Sequence, residues 1–423
     1  MTTLRAVKGM NDVLPEALPR WQRVEAAFRA ITARHGYAEV RTPIVEPTQL
    51  FIRSIGEATD IVEKEMYTFV DKGDDMLTLR PEGTASAVRA YVEHAVHGRE
   101  PISKWSYLGP MFRRERPARG RYRQFWQAGV ECFGDGGPFV DAEMIDMVVT
   151  LLGELGVQDL EVLVNSLGSG DTRDRYREAL TAHLAPHRDR LSEDSQRRLA
   201  SNPLRILDSK SPADQELCAG APDLVDFLGP EDRAHFEGLQ GALRALGTPF
   251  RVAPRLVRGL DYYSRTLFEV QGRGGELGAQ NTLCGGGRYD GLVRTLGGPD
   301  VPSIGFAMGI ERILLLTGGA DTAPTVDVAV AVADASLREE ALVLLRDLRA
   351  AGLVADGDLR GGSLKSQLRR AADKLGARAV LVLGPAESER GVVQLKDLAA
   401  HSQSEIPRAE VVLRVQALVR ESK

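Results

Sequence analysis

The feature that most constrains this chain is a cationic turn between two segments with the alternating pattern of β-strands. Within residues 106–134 it concentrates six arginines: Arg113, Arg114, Arg116, Arg119, Arg121 and Arg123. Pro117 and Gly120 lie among them, as is typical of a turn, so the sequence predicts a β-hairpin with a cationic tip. A solvated arginine-rich turn would explain charge alone, whereas an anionic partner would explain its concentration on one loop.

The second segment of this hairpin carries polar residues on one face. Side chains two residues apart share a strand face, so Phe125, Gln127, Gly129, Glu131 and Phe133 are expected on the same side. Packing does not require two polar side chains with a glycine between them on a central strand. The pattern therefore indicates the polar floor of a pocket, suited to a small ligand with hydrogen-bond donors.

Composition is that of a soluble globular protein. The 423 residues predict two or three domains, with ordinary apolar (43%) and charged (27%) fractions. The net charge of −5 requires any nucleic-acid contact to use local basic surfaces. The three widely spaced cysteines favour neither a disulfide framework nor a zinc site, and no metal site is predicted. The start of the chain lacks a secretory signal and no apolar run approaches about 20 residues, so we expect a cytoplasmic protein without a membrane segment.

The order of patterns along the chain predicts two domains. An antiparallel sheet flanked by helices is expected over residues 1–325, with a polar helical insertion at about 170–250. After a linker at 318–324, strands and helices alternate, which predicts an α/β domain with a mostly parallel sheet over residues 326–423. Its helix at 363–375 has a one-sided cationic bias, typical of a solvated face but compatible with a nucleic-acid footprint.

Glycines mark two further segments of the first domain. At a strand-to-helix turn, Thr84 is the expected N-cap, and Gly83 would let a ligand approach the backbone, although an ordinary turn explains both equally well. Residues 255–263 are expected to continue the sheet pattern. For the three glycines at 285–287, the sequence alone favours a flexible loop over a backbone pressed against a ligand.

Nucleotide binding, if present, must depend on arginines. Neither a phosphate loop ending in Gly-Lys-Ser/Thr nor a strand-placed G-x-G-x-x-G motif occurs. Arg312 lies one turn into an otherwise apolar helix that opens near Gly309, and a guanidinium there needs an anionic partner.

Taken in order, these segments resemble the bacterial histidyl-tRNA synthetases, which are class II aminoacyl-tRNA synthetases, over essentially the whole chain. The three class II motifs match the helix and strand ending at Pro43, residues 112–125 and residues 305–312. Residues 256–263 (LVRGLDYY) and 285–292 (GGGRYDGL) resemble segments specific to the histidine enzymes. The resemblance implies a class II-like α+β catalytic core on an antiparallel sheet and a C-terminal α/β anticodon-binding domain.

The resemblance also implies a two-step ligase reaction. Histidine and ATP would give histidyl-adenylate and pyrophosphate, and the 3′ end of tRNA(His) would then take the histidyl group. Mg²⁺ is expected with ATP, without a nameable protein ligand. The implied catalytic residues are Arg113, Arg258 and Arg312, and those for ATP are Arg113, Glu115, Arg121 and Arg312. The implied histidine-binding residues are Glu82, Gly83, Thr84, Gln127, Glu131, Arg258, Tyr262 and Tyr263.

For larger partners, the resemblance implies tRNA contacts and a homodimer with Pro43 near its interface. The acceptor end would meet Arg116, Arg119 and Arg121, the insertion would clasp the acceptor arm, and the C-terminal domain would bind the anticodon. The chain departs from the family at Trp126, where many relatives are expected to have histidine. Because Trp126 points away from the face of Gln127, a difference in packing is predicted.

The main alternative is the non-catalytic, synthetase-like regulatory subunit of ATP phosphoribosyltransferase. That paralogue resembles the core without an anticodon domain and tends to lose signature residues, whereas this chain keeps Arg113, Glu131, Arg258 and Arg312. A tRNA-binding module without catalysis would leave the predicted pocket unexplained. A synthetase for another amino acid conflicts with the two histidine-specific segments.

Overall fold

The chain divides into two units, and the first of them contains two β-sheets. The computed structural model describes residues 3–57, 59–273, 281–318 and 326–421, and its internal contacts separate residues 1–320 from residues 321–423. The expected linker at 318–324 lies, apart from Gly318, outside the described residues. None of the helices in these ranges is long and apolar enough to cross a membrane.

The strands of the first unit belong to one large and one small sheet. They are β1 (Ala38–Glu39), β2 (Val45–Pro47), β3 (Tyr67–Val70), β4 (Met76–Leu79), β5 (Ser103–Phe112), β6 (Gln124–Phe133), β7 (Leu160–Ser166), β8 (Arg251–Val252), β9 (Ser264–Gly272), β10 (Thr282–Arg288) and β11 (Ser303–Gly309). The large sheet has the order β1-β5-β6-β11-β10-β9-β7-β8, and the small sheet has the order β2-β4-β3. The antiparallel core is confirmed, and only its outermost pairs, β1–β5 and β7–β8, are parallel among the described strands.

The helices of the first unit cover both faces of the large sheet. They are α1 (Leu18–Arg34), α2 (Thr48–Ile55), α3 (Thr84–Glu93), α4 (Pro138–Glu154), α5 (Thr172–Leu184), α6 (Glu193–Ser201), α7 (Pro212–Ala219), α8 (Pro230–Leu246), α9 (Leu292–Thr295) and α10 (Ile310–Leu316). α1 and α4 bury their apolar stripes in the main core. On the other face, Tyr91 of α3 stacks on Phe133 of β6 with ring centroids 4.2 Å apart.

Helices α5 to α8 form the polar, helix-rich stretch between β7 and β8. Short 3₁₀ turns join them at Ala185–Arg190, Pro203–Ile206 and Leu224–Phe227. Leu180 and Leu184 of α5 and Leu239 and Leu243 of α8 are fully buried in the same core as the sheet. The insertion therefore shares the hydrophobic core of the first unit.

The second unit is a three-layer α/β structure. Its strands are β12 (Val328–Val332), β13 (Ala355–Gly357), β14 (Ala379–Leu383), β15 (Val392–Asp397) and β16 (Ser402–Pro407), and its helices are α11 (Arg338–Ala350), α12 (Leu364–Asp373), α13 (Pro385–Glu389) and α14 (Val411–Glu421). Strands β13, β12 and β14 are parallel, but β15 and β16 extend the sheet antiparallel. The sheet was expected to be mostly parallel, but only two of the four strand pairs described are parallel.

Three local expectations are wrong. Residues 253–263 form no strand, since the sheet resumes only at Ser264. The glycines at 285–287 lie inside β10, which is hydrogen-bonded to a strand on each side. Gly83, not Thr84, is the N-cap of α3, and the side chain of Glu82 supplies the capping oxygens to the amides of Thr84 and Ala85 at 2.7 and 2.8 Å.

Candidate active site

A cleft lies over β6, β10 and β11 in the first unit. Most of the predicted site residues line it: Glu82, Thr84, Arg113, Glu115, Arg121, Gln127, Arg258, Tyr262, Tyr263 and Arg312. Gly83 and Glu131 are buried beneath its surface. Arg116 and Arg119 are exposed on the tip of the hairpin formed by β5 and β6, outside the lining.

Glu131 is the buried acid at the base of this cleft. Its side chain is fully shielded from solvent. Tyr107 Oη donates to Glu131 Oε1 at 3.1 Å, and Tyr289 Oη donates to Glu131 Oε2. Burial raises the pKa of Glu131 to about 8, against the opposing effect of the hydrogen bond from Tyr289. The group can therefore gain or lose a proton near neutral pH.

The strand alternation that places Gln127 and Glu131 on one face is confirmed, but Gly129 does not leave open space between them. Tyr107 is the cross-strand partner of Gly129, and its ring fills that space. A Cβ on Gly129 would lie 2.5 Å from the Tyr107 ring, and one on Gly83 would lie 2.2 Å from it. Both glycines thus make room for the tyrosine that contacts Glu131.

Glu82 and Gln127 organise the start of α3 beside the cleft. Glu82 is buried, which raises the pKa of its carboxyl, while its two backbone hydrogen bonds at the helix start lower it. Gln127 Oε1 accepts a hydrogen bond from the amide of Gly83 at 3.2 Å. Four predicted residues, Glu82, Gly83, Thr84 and Gln127, are therefore linked by hydrogen bonds at the start of α3.

Four guanidinium groups converge on the cleft. Arg113 donates to the carbonyl of Pro81 at 2.8 Å and lies over the ring of Phe125, 5.3 Å from its centroid. Arg121 forms an ion pair with Glu115 at 2.7 Å. Arg312 donates to the carbonyls of Gly120 (3.2 Å) and Thr282 (2.9 Å), and Arg258 forms an ion pair with Glu269.

A second acid of the cleft, Glu311, accepts hydrogen bonds from the amide of Trp126 at 2.9 and 3.1 Å. Burial raises the pKa of Glu311 to about 7. The indole of Trp126 packs edge-on against Trp21 of α1, with centroids 6.2 Å apart. Trp126 therefore packs against α1, and the predicted difference in packing from relatives stays a prediction.

Glycines in β10 and β11 provide room for the charged side chains. A Cβ on Gly285 would lie 2.3 Å from the guanidinium carbon of Arg258. A Cβ on Gly305, which pairs with Glu131 across the strands, would lie 1.8 Å from Glu131 Oε2. These strands are therefore shaped around Arg258 and Glu131.

The arginine of the GGGRYDGL segment does not face the cleft. Arg288 is fully buried and forms a two-pronged ion pair with Asp141 of α4, at 2.6 Å and 3.0 Å. His235 of α8 contacts the same carboxylate at 2.9 Å. This network ties the glycine-rich strand to two helices and is structural.

Sequence reasoning missed three residues of the site. Tyr107 could have been found from the hairpin register, which places it opposite Gly129. Tyr289 lay within a quoted motif but received no role. Glu269, the ion-pair partner of Arg258, gave no signal because only the folded sheet brings the two together.

Family models match both units of the chain. The model described as histidyl-tRNA synthetase matches residues 9–313. The model described as anticodon binding domain matches residues 327–418. The chain belongs to the histidyl-tRNA synthetase family. It is an aminoacyl-tRNA ligase, in keeping with the class II architecture predicted from the sequence.

Relatives of the synthetase support the same assignment along almost the full length. A histidine–tRNA ligase of Sorangium cellulosum is 59% identical over 404 residues, covering 96% of this chain and 94% of the relative. One from Dechloromonas aromatica is 50% identical, covering 96% and 94%. Apo histidyl-tRNA synthetase of S. aureus superposes with a TM-score of 0.82 at 37% identity, covering 98% of this chain and all of that chain.

A structure described as an ATP phosphoribosyltransferase regulatory subunit/histidyl-tRNA synthetase, from Bacillus halodurans, shares the fold at a TM-score of 0.67. It is 22% identical, covering 91% of this chain and 99% of that chain, so the likeness concerns the fold alone. The relatives at 50–59% identity favour the synthetase over the regulatory subunit.

Proposed function

We propose that this cleft activates histidine with ATP and then passes the histidyl group to tRNA(His). One observation carries the proposal. A buried acid held by two tyrosines lies beneath a cleft that four guanidinium groups line. The first group suits an imidazole, and the second suits a polyphosphate.

Histidine would bind through its two polar ends. Glu82, Thr84 and Gln127 line the cleft near the start of α3 and would hold the α-amino group, with the backbone of Gly83 fixed by Gln127. Glu131 would accept the ring N–H, with Tyr262 and Tyr263 beside the imidazole. The rings of these two tyrosines are 4.8 Å apart. A buried polar site of this kind rejects analogues that lack the ring nitrogen.

Adenylation is an in-line displacement at phosphorus. A carboxylate oxygen of histidine would bond to the α-phosphorus as the bond from that phosphorus to the bridging oxygen breaks, and pyrophosphate would leave with the electron pair. Arg113 and Arg258 would stabilise charge on the α-phosphate, and Arg312 would hold ATP from the other side. Permanently charged, fork-shaped guanidinium groups suit this task, because the barrier is lowered mainly by positioning and electrostatics.

The outer phosphates would meet Arg121, which Glu115 holds in place. We also propose that ATP binds as its Mg²⁺ complex. Carboxylates such as Glu115 line the cleft and are a donor type that Mg²⁺ uses together with phosphates. The ion would neutralise charge on the phosphates.

In the second step, a terminal ribose hydroxyl of tRNA would attack the histidyl carbonyl carbon, and AMP would leave with the oxygen that joined it to the acyl group. Arg116, Arg119 and Arg121 on the hairpin tip would bind the acceptor end, and helices α5 to α8 would contact the acceptor arm. Residues 326–423 would bind the anticodon, and residues 1–325 would carry catalysis. The exposed cations Lys365 and Arg369 on α12 fit a sequence-blind phosphate contact.

We further propose a cytoplasmic homodimer. The small sheet exposes large apolar side chains next to Pro43: Ile44, Val45, Phe69, Val70 and Met76, each between 39% and 55% exposed. The strand register places Val45 and Phe69 on one face of the sheet and Val70 and Met76 on the other. A second copy of the chain would cover exposed apolar side chains of this kind.

The test of the proposed reaction is ATP–pyrophosphate exchange by the purified, folded protein. We expect exchange that requires histidine and is not supported by other amino acids. No exchange at saturating histidine would overturn the proposal.

A further inference from the structure

The segment that carries three of the proposed site residues has no regular secondary structure. Residues 253–263 run from the end of β8 to the start of β9 and include Arg258, Tyr262 and Tyr263. A strand holds its side chains in place through its ladder of hydrogen bonds, but this segment lacks such a ladder. Its position therefore depends on individual contacts, and these contacts determine where the three side chains lie.

Asp261, next to the two tyrosines, receives contacts from the helical insertion. Arg173 of α5 donates through Nη1 to the carbonyl of Asp261 at 2.8 Å, and its Nη2 lies 3.4 Å from Asp261 Oδ1. Asn202, which follows α6, donates through Nδ2 to the same oxygen at 3.1 Å. Two insertion side chains thus bind one residue of the segment.

The opposite side of Asp261 rests on the catalytic core. Its amide donates to the carbonyl of Ile55, the last residue of α2, at 3.1 Å. Gly56 follows with φ +101°, and a Cβ there would lie 2.8 Å from Asp261 Oδ2. Asp261 is therefore held between α2 and the insertion, with no room for a side chain at Gly56.

The insertion is itself anchored, so it can act as a support. Its helices share the buried core of the sheet. Arg198 and Arg205 of the insertion lie 3.0 and 3.5 Å from Asp60 Oδ2 in the core. Arg205 also approaches the segment, because a Cβ on Gly259 would lie 3.1 Å from its Nη1.

We propose that Asp261 is a positioning residue through which the helical insertion holds Arg258, Tyr262 and Tyr263 in their working places. Arg173 and Asn202 are the residues of the insertion that make this contact. The inference rests on the proposed function of the cleft. It gives the insertion a part in amino-acid activation, separate from any contact with tRNA.

The test is the kinetics of pyrophosphate exchange, without tRNA, for Asn202→Ala and Arg173→Ala. We expect the KM for histidine to rise about tenfold and kcat to fall, while the KM for ATP changes less than twofold, because Arg113, Arg121 and Arg312 lie on other elements. Arg173→Lys, which can still reach the carbonyl of Asp261, should recover part of the loss. Asn202→Ala should add nothing in an Asp261→Ala background.

The matched control is Arg177→Ala, an exposed position on α5 whose ion pair is with Asp174. If the wild type exchanges in a histidine-dependent way but Asn202→Ala and Arg173→Ala behave like Arg177→Ala, the positioning role is wrong. A lower active-site concentration with unchanged KM values, measured by burst titration, would also overturn it, since that indicates only partial unfolding. Absence of exchange in the wild type would instead contradict the proposed function.

Discussion

Glu131 shows how much of this site depends on the environment of one side chain. An exposed glutamate would be ionised at neutral pH, but burial raises the pKa of this carboxyl to about 8. The two tyrosines that bind it come from β5 and from the turn after β10. An imidazole that donates its ring N–H would favour the ionised form, so histidine binding and deprotonation of Glu131 are coupled in the proposed site.

Replacing Glu131 with glutamine should weaken histidine binding and leave ATP binding intact. The amide keeps the size of the side chain but loses the charge that accepts the ring N–H, so we expect a 10- to 100-fold rise in the dissociation constant for histidine. Isothermal titration with each ligand separately checks this. Equal losses for ATP and histidine would show that the imidazole site lies elsewhere.

The same substitution should change how stability depends on pH. The pKa of Glu131 is about 8 in the folded protein against an ordinary 4.5, so the folded state holds a proton that the unfolded state releases between these values. The free energy of unfolding should therefore fall as pH rises from 5 to 8. In Glu131→Gln this fall should be smaller, as measured by urea unfolding at several pH values. Identical pH profiles would contradict the raised pKa.

At the scale of elements, strand β10 is built around its neighbours' side chains. Glycines carry no hydrophobic pattern, so the sequence favoured a loop for residues 285–287, although the folded strand pairs on both sides. Neighbouring atoms occupy the space that a Cβ would need at these positions, which explains why they are glycines. Gly285 faces Arg258, and Gly286 faces Phe268 and Phe306.

Gly285→Ala should therefore disable adenylation without unfolding the protein. The new methyl group would meet the Arg258 guanidinium, which can shift because it ends a flexible side chain. We expect exchange to fall about 100-fold with a nearly unchanged thermal midpoint. The control is Gly291→Ala, where a Cβ would meet open space. Full activity in Gly285→Ala would mean that Arg258 does not need its present position.

Elements with a strong periodic pattern were predictable, and contacts between distant segments were not. The alternation from Phe125 to Phe133 identified β6 and its polar face. Successive side chains of a strand point to opposite faces, so the sequence alone shows which residues share a face. Residues 255–263 resemble the preceding sheet segments in composition but form no strand, and side-chain contacts such as the Arg258–Glu269 ion pair join them to the sheet. Likewise, no local pattern could show that Tyr107 and Tyr289 meet at Glu131.

At the scale of the whole molecule, the sequence predicted the class II core and the family, and the comparisons with relatives and solved structures confirm both. The antiparallel pairs of β15 and β16 escaped prediction, because these two strands are more polar and more exposed than the fully buried β14 and lack its apolar run. Hydrophobicity alone also does not identify the protein surface that covers the exposed apolar side chains of the small sheet. That surface therefore calls for a direct measurement.

Phe69→Glu should convert the proposed dimer into a monomer. Phe69 is 44% exposed on the small sheet, and a charge buried at an interface without a partner costs several kcal/mol. Light scattering after size-exclusion chromatography would give the mass. Phe139→Glu, which alters a phenyl ring that is 73% exposed on α4, serves as the control. A monomeric wild type, or a Phe69→Glu variant that remains dimeric, would contradict the interface.

The central claim is that Arg258 stabilises charge at the α-phosphate during adenylation. Its most direct test is histidine-dependent pyrophosphate exchange by Arg258→Ala, beside Arg251→Ala, an exposed arginine that pairs with Glu161. We predict that exchange by Arg258→Ala falls at least about 100-fold at saturating substrates, with circular dichroism unchanged, while Arg251→Ala keeps wild-type activity. Near-normal exchange by folded Arg258→Ala would contradict the claim.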